Sequence, residues 1–377
     1  MMVDMYKPYI SGVTNHVEIY SDELSKLGHE VKIFTFGQSK DYGLSESVIY
    51  SKGLPIKFPF ADLAFNINLN HTKQAIDLIQ TMDIINVHHP FLSGSLAYRY
   101  CKKKKIPIIF TSHTRYDLYA EIYAPFLPKR IIKTFLKFNL QLACRKFNAI
   151  ITPSQSSRNM YDELGIKGNF IQVPNGIRIP DSVTSNPKKD REKYGVADGE
   201  FIFIYVGRVG PEKNLPLMID AFYSLTQSNS KIKLFVVGKG TELPNIIKQA
   251  EELGINQQVV FTGFIPYDEV FNILKIADAF ISLSLTEVHP LSILEAMSVG
   301  LPVIGIDTSG IKDIIENGQT GLLSNLSLGE IVKNMQFLIE NPHEKKQIGE
   351  NAKKNSKKYD VKVTSKMLIS VFHNMLE

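Results

Sequence analysis

Short runs of Ile, Val and Phe recur along the chain with helical patterns between them, and this alternation constrains the fold more than any other feature. In the first half the runs are VKIFTF (31–36), DIINVHH (83–89), PIIFTSH (107–113) and AIITPS (149–154). In the second half they are FIFIYVG (201–207), KLFVVG (233–238), VVFTGF (259–264), AFISLS (279–284) and PVIGID (302–307). Near-continuous apolar strands, as opposed to alternating ones, belong to parallel sheets covered on both faces. Strands spaced by helices predict the doubly wound α/β architecture. It is predicted twice, because 377 residues exceed what one ordinary core holds.

The stretch 176–200 breaks the rhythm with Pro, Asp, Ser, Asn and charge, and reads as the crossing between domains. The expected domains are therefore 1–178 and 179–360. Segment 361–377 has helical spacing (Val363, Met367, Leu368, Val371, Phe372, Met375) and no strand after it. It is expected to pack on one of the domains, back on the first in one reading, with its Met and Phe side chains in the core. Only MMVDM precedes Tyr6, so the first strand is either short or begins upstream.

No run approaches the roughly 20 apolar residues that span a bilayer, and no signal-peptide pattern opens the chain. Two cysteines, Cys101 and Cys144, without zinc-type spacing fit a reduced cytoplasmic setting. Charge is uneven: residues 1–180 carry 22 Lys+Arg against 14 Asp+Glu, the remainder 21 against 24. The basic half favours an anionic partner or is simply a solvated face. Nucleic acid is not expected, since the interleaving of aromatic and basic residues typical of a stacking platform is missing.

Two constellations carry chemistry. In SLSLTEVHPLSILEAMSVGLPVIGIDTSG (282–310) a strand ends near Ser284 and a helix is predicted from Pro290, closed by Gly300 and Pro302. Glu287 precedes that helix and Glu295 lies in its first two turns. A helix N-terminus suits phosphate, and carboxylates suit sugar hydroxyls. In YVGRVGPEKNLPLMIDAF (205–222), Arg208 and Lys213 follow a strand in a Gly/Pro loop, and a helix is predicted after Asn214. Two cations there can clamp a diphosphate. Taken singly, each of these four residues reads equally as surface charge.

Together with VVGKG (236–240) and TGF (262–264), these runs resemble the retaining family-4 glycosyltransferases of GT-B fold. PYISGVTNHV (8–17), HEVKIFT (29–35), TSHTRYD (111–117), TPSQSSR (152–158) and VPNGI (173–177) look like the same family's amino-terminal landmarks, in order. The resemblance implies two Rossmann-like domains facing across a cleft. It implies that Arg208 and Lys213 bind the donor diphosphate, that Glu295 holds the donor ribose and that Glu287 contacts the sugar. Backbone N–H groups of Val288, His289 and Leu291 are implied near sugar or phosphate, with Gly12 in a loop after the first strand allowing close phosphate approach. His113 matches a His that faces the sugar. Many relatives have Gly-Phe where this chain has Val288-His289, and Asp where it has Arg178, so the sugar is left open.

The implied reaction moves a hexose from a UDP- or GDP-linked donor with retention and without metal or other cofactor. No carboxylate is an obvious nucleophile, which favours front-face substitution over double displacement. The segment 125–147 is read as a basic amphipathic helix, with Lys129, Lys133, Lys137, Gln141 and Arg145 in one stripe and Ile131, Ile132, Phe135, Leu136, Leu140, Leu142 and Ala143 supplying apolar faces. It either lies on an anionic membrane beside a lipid acceptor or packs on the sheet with its stripe in water. The KKKK run at 102–105 adds charge. VHHPFLSG (87–94) and SHTRYDLY (112–119) are similar to members that glycosylate diacylglycerol or related membrane lipids. A peripheral place on the cytoplasmic face follows. The alternatives are a soluble sugar or polysaccharide acceptor, an epimerase or phosphorylase on the same scaffold, or a nucleotide-sugar-binding protein without catalysis. His88 and His89 are read as pointing to opposite faces of a strand and as satisfied core or cleft histidines.

Overall fold

The computed structural model describes residues 1–37, 47–52, 54–57, 64–67, 70–123, 128–180 and 187–377. The chain divides into two compact units, Met1–Arg178 with Tyr359–Glu377, and Ile179–Lys358.

In the second unit six parallel strands form one sheet in the order Val259–Gly263, Ile232–Val237, Phe201–Val206, Ala279–Ser282, Val303–Ile306, Gly321–Ser324. The chain starts at the sheet's centre and winds outward in both directions, so the loops after the central strands diverge and leave a crevice at their carboxyl ends. Helices cover the sheet, and the central strands are buried along their length: Ile202 to Tyr205, Ala279 to Ser282 and Val303 to Ile306. That is why these strands carry no polar alternation.

The first unit repeats the plan. Strands Val48–Ser51 and Ile33–Phe36 pair in parallel, as do Ile85–Val87, Ile108–Thr111, Ala149–Thr152 and Phe170–Gln172. Between the two groups lies the amino-terminal segment. Met2 bridges in parallel to both Phe34 and Val87, and Met2 N donates to Asn86 O at 2.8 Å while Val3 N donates to Phe34 O at 3.0 Å. Met1–Val3 thus occupy the central position of the sheet. A small antiparallel pair, Leu54–Lys57 with Ala64–Ile67, stands apart.

Segment 361–377 forms the helix Val361–Leu376, which packs against the helix Gly12–Lys26. Tyr20 Oη donates to Thr364 Oγ1 at 2.7 Å and accepts from Gly176 N. The inward face is Val361, Thr364, Ser365, Leu368 and Val371. The expectation that its Met and Phe residues are core is corrected: Met367 is exposed, as is Val363, and Phe372 and Met375 are half-buried. The helix's phase is set at its start. Asp360 caps Lys362 N and its backbone bridges Ile177, which turns the Thr364–Leu368 side inward.

Candidate active site

In the second unit the strand Phe201–Val206 ends in a turn that meets the loop after Val237. A Cβ on Gly238, at φ +143°, would stand 1.8 Å from Gly207 O, so only glycine allows the two loops to lie together. The short 3₁₀ turn Pro211–Lys213 follows, with Asn214 left-handed at φ 54°, and then the helix Leu215–Thr226.

This path lays the two cations on separate carboxylates. Arg208 Nη2 donates to Glu212 Oε1 at 2.6 Å, and Glu212 is fully buried. Lys213 Nζ donates to Glu287 Oε1 at 2.6 Å, both side chains being 16% exposed. The Glu212 carbonyl accepts from Leu285 N at 2.9 Å and from Ser284 Oγ at 3.4 Å. The turn that carries the cations is thereby tied to the loop that carries Glu287. Burial pushes the Glu287 carboxyl up, but the charge and hydrogen bond of Lys213, a bond from Ser284 and the more distant Arg208 outweigh it, and the net shift is down. Glu287 is held ionised, fit to accept from hydroxyl groups.

The loop turns into the helix Leu291–Ser298 with Pro290 as its N-cap. The sequence places Pro290 at the first helical position; its ψ of 120° leaves it one residue outside. Among the described residues no side chain caps this helix, and because it follows the strand Ala279–Ser282 its first N–H groups stand at the carboxyl end of the sheet. Gly310, at φ +85°, lets a second loop approach: a Cβ there would lie 2.2 Å from Glu287 O and 2.9 Å from Val288 N. Val288 and His289 have buried side chains. Burial lowers the His289 imidazole to about 4, with Asp313 raising it and Lys358 lowering it. Glu295 lies in the helix's second turn, and burial raises its carboxyl to about 7 against a lowering hydrogen bond from Tyr267.

The first unit brings together a different group. His113 follows the strand Ile108–Thr111, and its Nε2 is 2.9 Å from His88 Nδ1. His16, from the helix Gly12–Lys26, stacks on Tyr20 and meets the His113 ring edge-on with centroids 4.6 Å apart. Burial drives all three imidazoles below their usual range, His16 to about 3. The expectation of opposed histidines is partly met: His89 Nδ1 turns away to accept from Asp4 N. His88 is not a satisfied core residue, because its Nε2 is buried with no hydrogen bond among the described residues. Gly12 is also corrected. It is the first residue of a helix and not part of a loop, because Ser11 and Thr14 close a capping box that starts the helix there. A Cβ on Gly12 would meet nothing within 4 Å, so no neighbouring atom requires glycine there.

The helix Lys129–Cys144 shows two apolar faces. Ile132, Leu136, Leu140, Ala143 and Cys144 are buried against the sheet. Ile131, Phe135, Phe138 and Leu142 point outward, with Phe135 and Phe138 66% and 65% exposed. A helix packed on a sheet normally presents polar residues there. Among the described residues no helix is long and apolar enough to cross a membrane.

Sequence reasoning missed Glu212, His16 and Phe138. Glu212 stands four residues after Arg208, a spacing that pairs opposite charges, but its complete burial has no trace in sequence. Glu212→Ala is expected to lower kcat/KM for the donor about 10- to 100-fold through a misplaced Arg208, with Glu212→Gln between, as measured by steady-state kinetics.

Residues 186–355 match the family model described as Glycosyl transferases group 1, and residues 10–179 match Glycosyltransferase Family 4. The chain is 31% identical over 336 residues to an alpha-monoglucosyldiacylglycerol synthase of Streptococcus pneumoniae, covering 86% of this chain and 74% of that one. It is 27% identical to the alpha-monoglucosyldiacylglycerol synthase of Acholeplasma laidlawii, over 99% and 96% of the two chains. Among solved structures it resembles Anabaena HepE in complex with UDP and glucose, with a TM-score of 0.78, 20% identity and coverage of 99% and 98%.

Proposed function

The chain belongs to the family-4 glycosyltransferases of GT-B fold, and from that premise we propose that it moves glucose from UDP-glucose to the free hydroxyl of a diacylglycerol lipid at a membrane surface. The donor half rests on Arg208, Lys213 and Glu287 converging at the strand ends beside the start of the helix Leu291–Ser298. A diphosphate exchanges its oxygens for the carboxylates that now hold the two cations. Released from Lys213, Glu287 accepts from the sugar hydroxyls, and Glu295 accepts from the ribose.

The C1–O bond to the diphosphate breaks as the acceptor oxygen bonds to C1 from the same face, and the acceptor's proton passes to the departing phosphate oxygen. The products are UDP and a glycolipid of retained configuration. Arg208 and Lys213 stabilise the charge on the leaving group, which is work that other transferases give to a metal ion. His113 is assigned to the sugar. The acceptor half rests on one observation, the solvent-facing row Ile131, Phe135, Phe138 and Leu142 flanked by Lys133, Lys137 and Arg145. Apolar side chains between cations match an anionic bilayer. The names of the two curated relatives favour glucose and diacylglycerol, and HepE favours a uridine donor.

Calorimetric titration of UDP in EDTA tests the donor half. Binding is expected without metal. Ribose hydroxyls favour the ionised form of Glu295, so affinity is expected to rise with pH through about 7 and binding to release a proton. A requirement for added divalent metal, or affinity flat from pH 6 to pH 8 in ~Glu295's titration range, contradicts this account.

A further inference from the structure

His16, His88 and His113 come from three separated segments, yet one ring nitrogen of each lies within 4.8 Å of the others. We propose that these three imidazoles form a binding site for a borderline transition-metal cation of the Zn²⁺ type. The proposal goes beyond the donor chemistry assigned to Arg208 and Lys213, which lie in the other unit.

Three neutral histidines are a ligand set that suits Zn²⁺, Cu²⁺ or Ni²⁺ and disfavours Mg²⁺ or Ca²⁺, which prefer oxygen. His16 and His88 are buried, and His113 is the member that reaches solvent, which gives an ion its way in. His88 Nδ1 and His113 Nε2 share one proton across 2.9 Å, so these two nitrogens already face one point. At a Zn–N distance of about 2.0–2.1 Å, tetrahedral ligand nitrogens stand about 3.3 Å apart. His88 and His113 therefore need to separate by only about 0.4 Å once the shared proton leaves, and His16 needs to close in. Three protein ligands leave a fourth position open.

Under the functional reading above, His113 faces the sugar, so an ion bound there takes that imidazole away from the substrate. Zn²⁺ is then an inhibitor that acts at the concentration at which it binds.

The test uses tag-free full-length protein stripped with chelator. Zn²⁺ is measured by equilibrium dialysis, and Co²⁺ by the intensity of its visible absorption, in wild type and in His16→Asn and His88→Asn, with circular dichroism confirming the fold of each. The expected result is one Zn²⁺ per wild-type chain, a tetrahedral Co²⁺ spectrum, and affinity weakened at least about 100-fold in both variants. If either variant fails to fold, competition between Zn²⁺ and histidine-selective diethylpyrocarbonate modification of the wild type, with mass-spectrometric mapping of His113, the member that reaches solvent, gives the same answer. Failure to retain Zn²⁺, or retention unchanged by both substitutions, overturns the site. Binding without loss of turnover overturns the inhibitory role. Because the dialysis needs no substrate, a wrong assignment of donor or acceptor shows in the kinetics and leaves the metal result intact.

Discussion

Lys213→Ala is expected to lower kcat for sugar transfer about 10²- to 10³-fold, the scale found when one preorganised group that stabilises developing charge is removed. Lys213 ties together two loops of the second unit. Its Nζ is 2.6 Å from Glu287, 74 residues away in sequence, and the turn that carries it is anchored through the Glu212 carbonyl to the loop at Ser284 and Leu285. Alanine removes a charge that must meet the leaving diphosphate. It also removes the group that keeps Glu287 ionised, so burial then dominates and the Glu287 pKa rises. Both effects fall on the transition state more than on donor binding, and kcat should change more than KM. Steady-state kinetics with circular dichroism as the folding control checks this. A kcat within threefold of wild type contradicts the assigned role.

The second large effect is expected at the membrane. Phe135→Asp/Phe138→Asp is expected to weaken binding to anionic vesicles about 100-fold, since each Phe transferred from water is worth roughly 1.5–3 kcal/mol and tenfold in affinity is about 1.4 kcal/mol. The fold should survive, because these two side chains are 66% and 65% exposed while Ile132, Leu136 and Leu140 of the same helix hold the core. Vesicle co-sedimentation measures the loss, and raised salt should weaken the wild type as well through Lys133 and Lys137. Unchanged sedimentation of the double variant contradicts membrane docking by this helix.

Those two predictions draw on features of differing visibility in the sequence. The strands at 201–206, 279–282 and 303–306 are legible because they are buried on both faces and so read as unbroken apolar runs. Val48–Ser51, Phe170–Gln172 and Gly321–Ser324 are not, because they are half-buried strands at or near sheet edges where Gln, Ser and Gly fit as well as Ile. Met1–Val3 is too short to show any period, and its place at the centre of the sheet comes from pairing with Phe34 and Val87. The phase of the last helix is invisible for a similar reason: its capping by Asp360 decides which of two apolar stripes faces inward, and the Met/Phe stripe turns out.

The site divides in the same way. Arg208, Lys213, Glu287 and Glu295 stand at strand ends and at a helix start, positions that local sequence marks. Which carboxylate each cation meets depends on burial and on contacts 74 residues apart, and so does the role of Glu212. The meeting of His16, His88 and His113 is purely topological, because only the parallel order of the first sheet brings the ends of three segments to one place.

The measurement that tests the central claim most directly is nucleotide release from UDP-glucose and a panel of other UDP- and GDP-sugars, in EDTA, with and without vesicles containing diacylglycerol, with the lipid extract examined for added hexose. The account predicts release of UDP from UDP-glucose that depends on diacylglycerol and yields a lipid heavier by one hexose. Turnover that needs only a soluble sugar acceptor, or a donor that binds and is never consumed in the presence of the lipid, would contradict it.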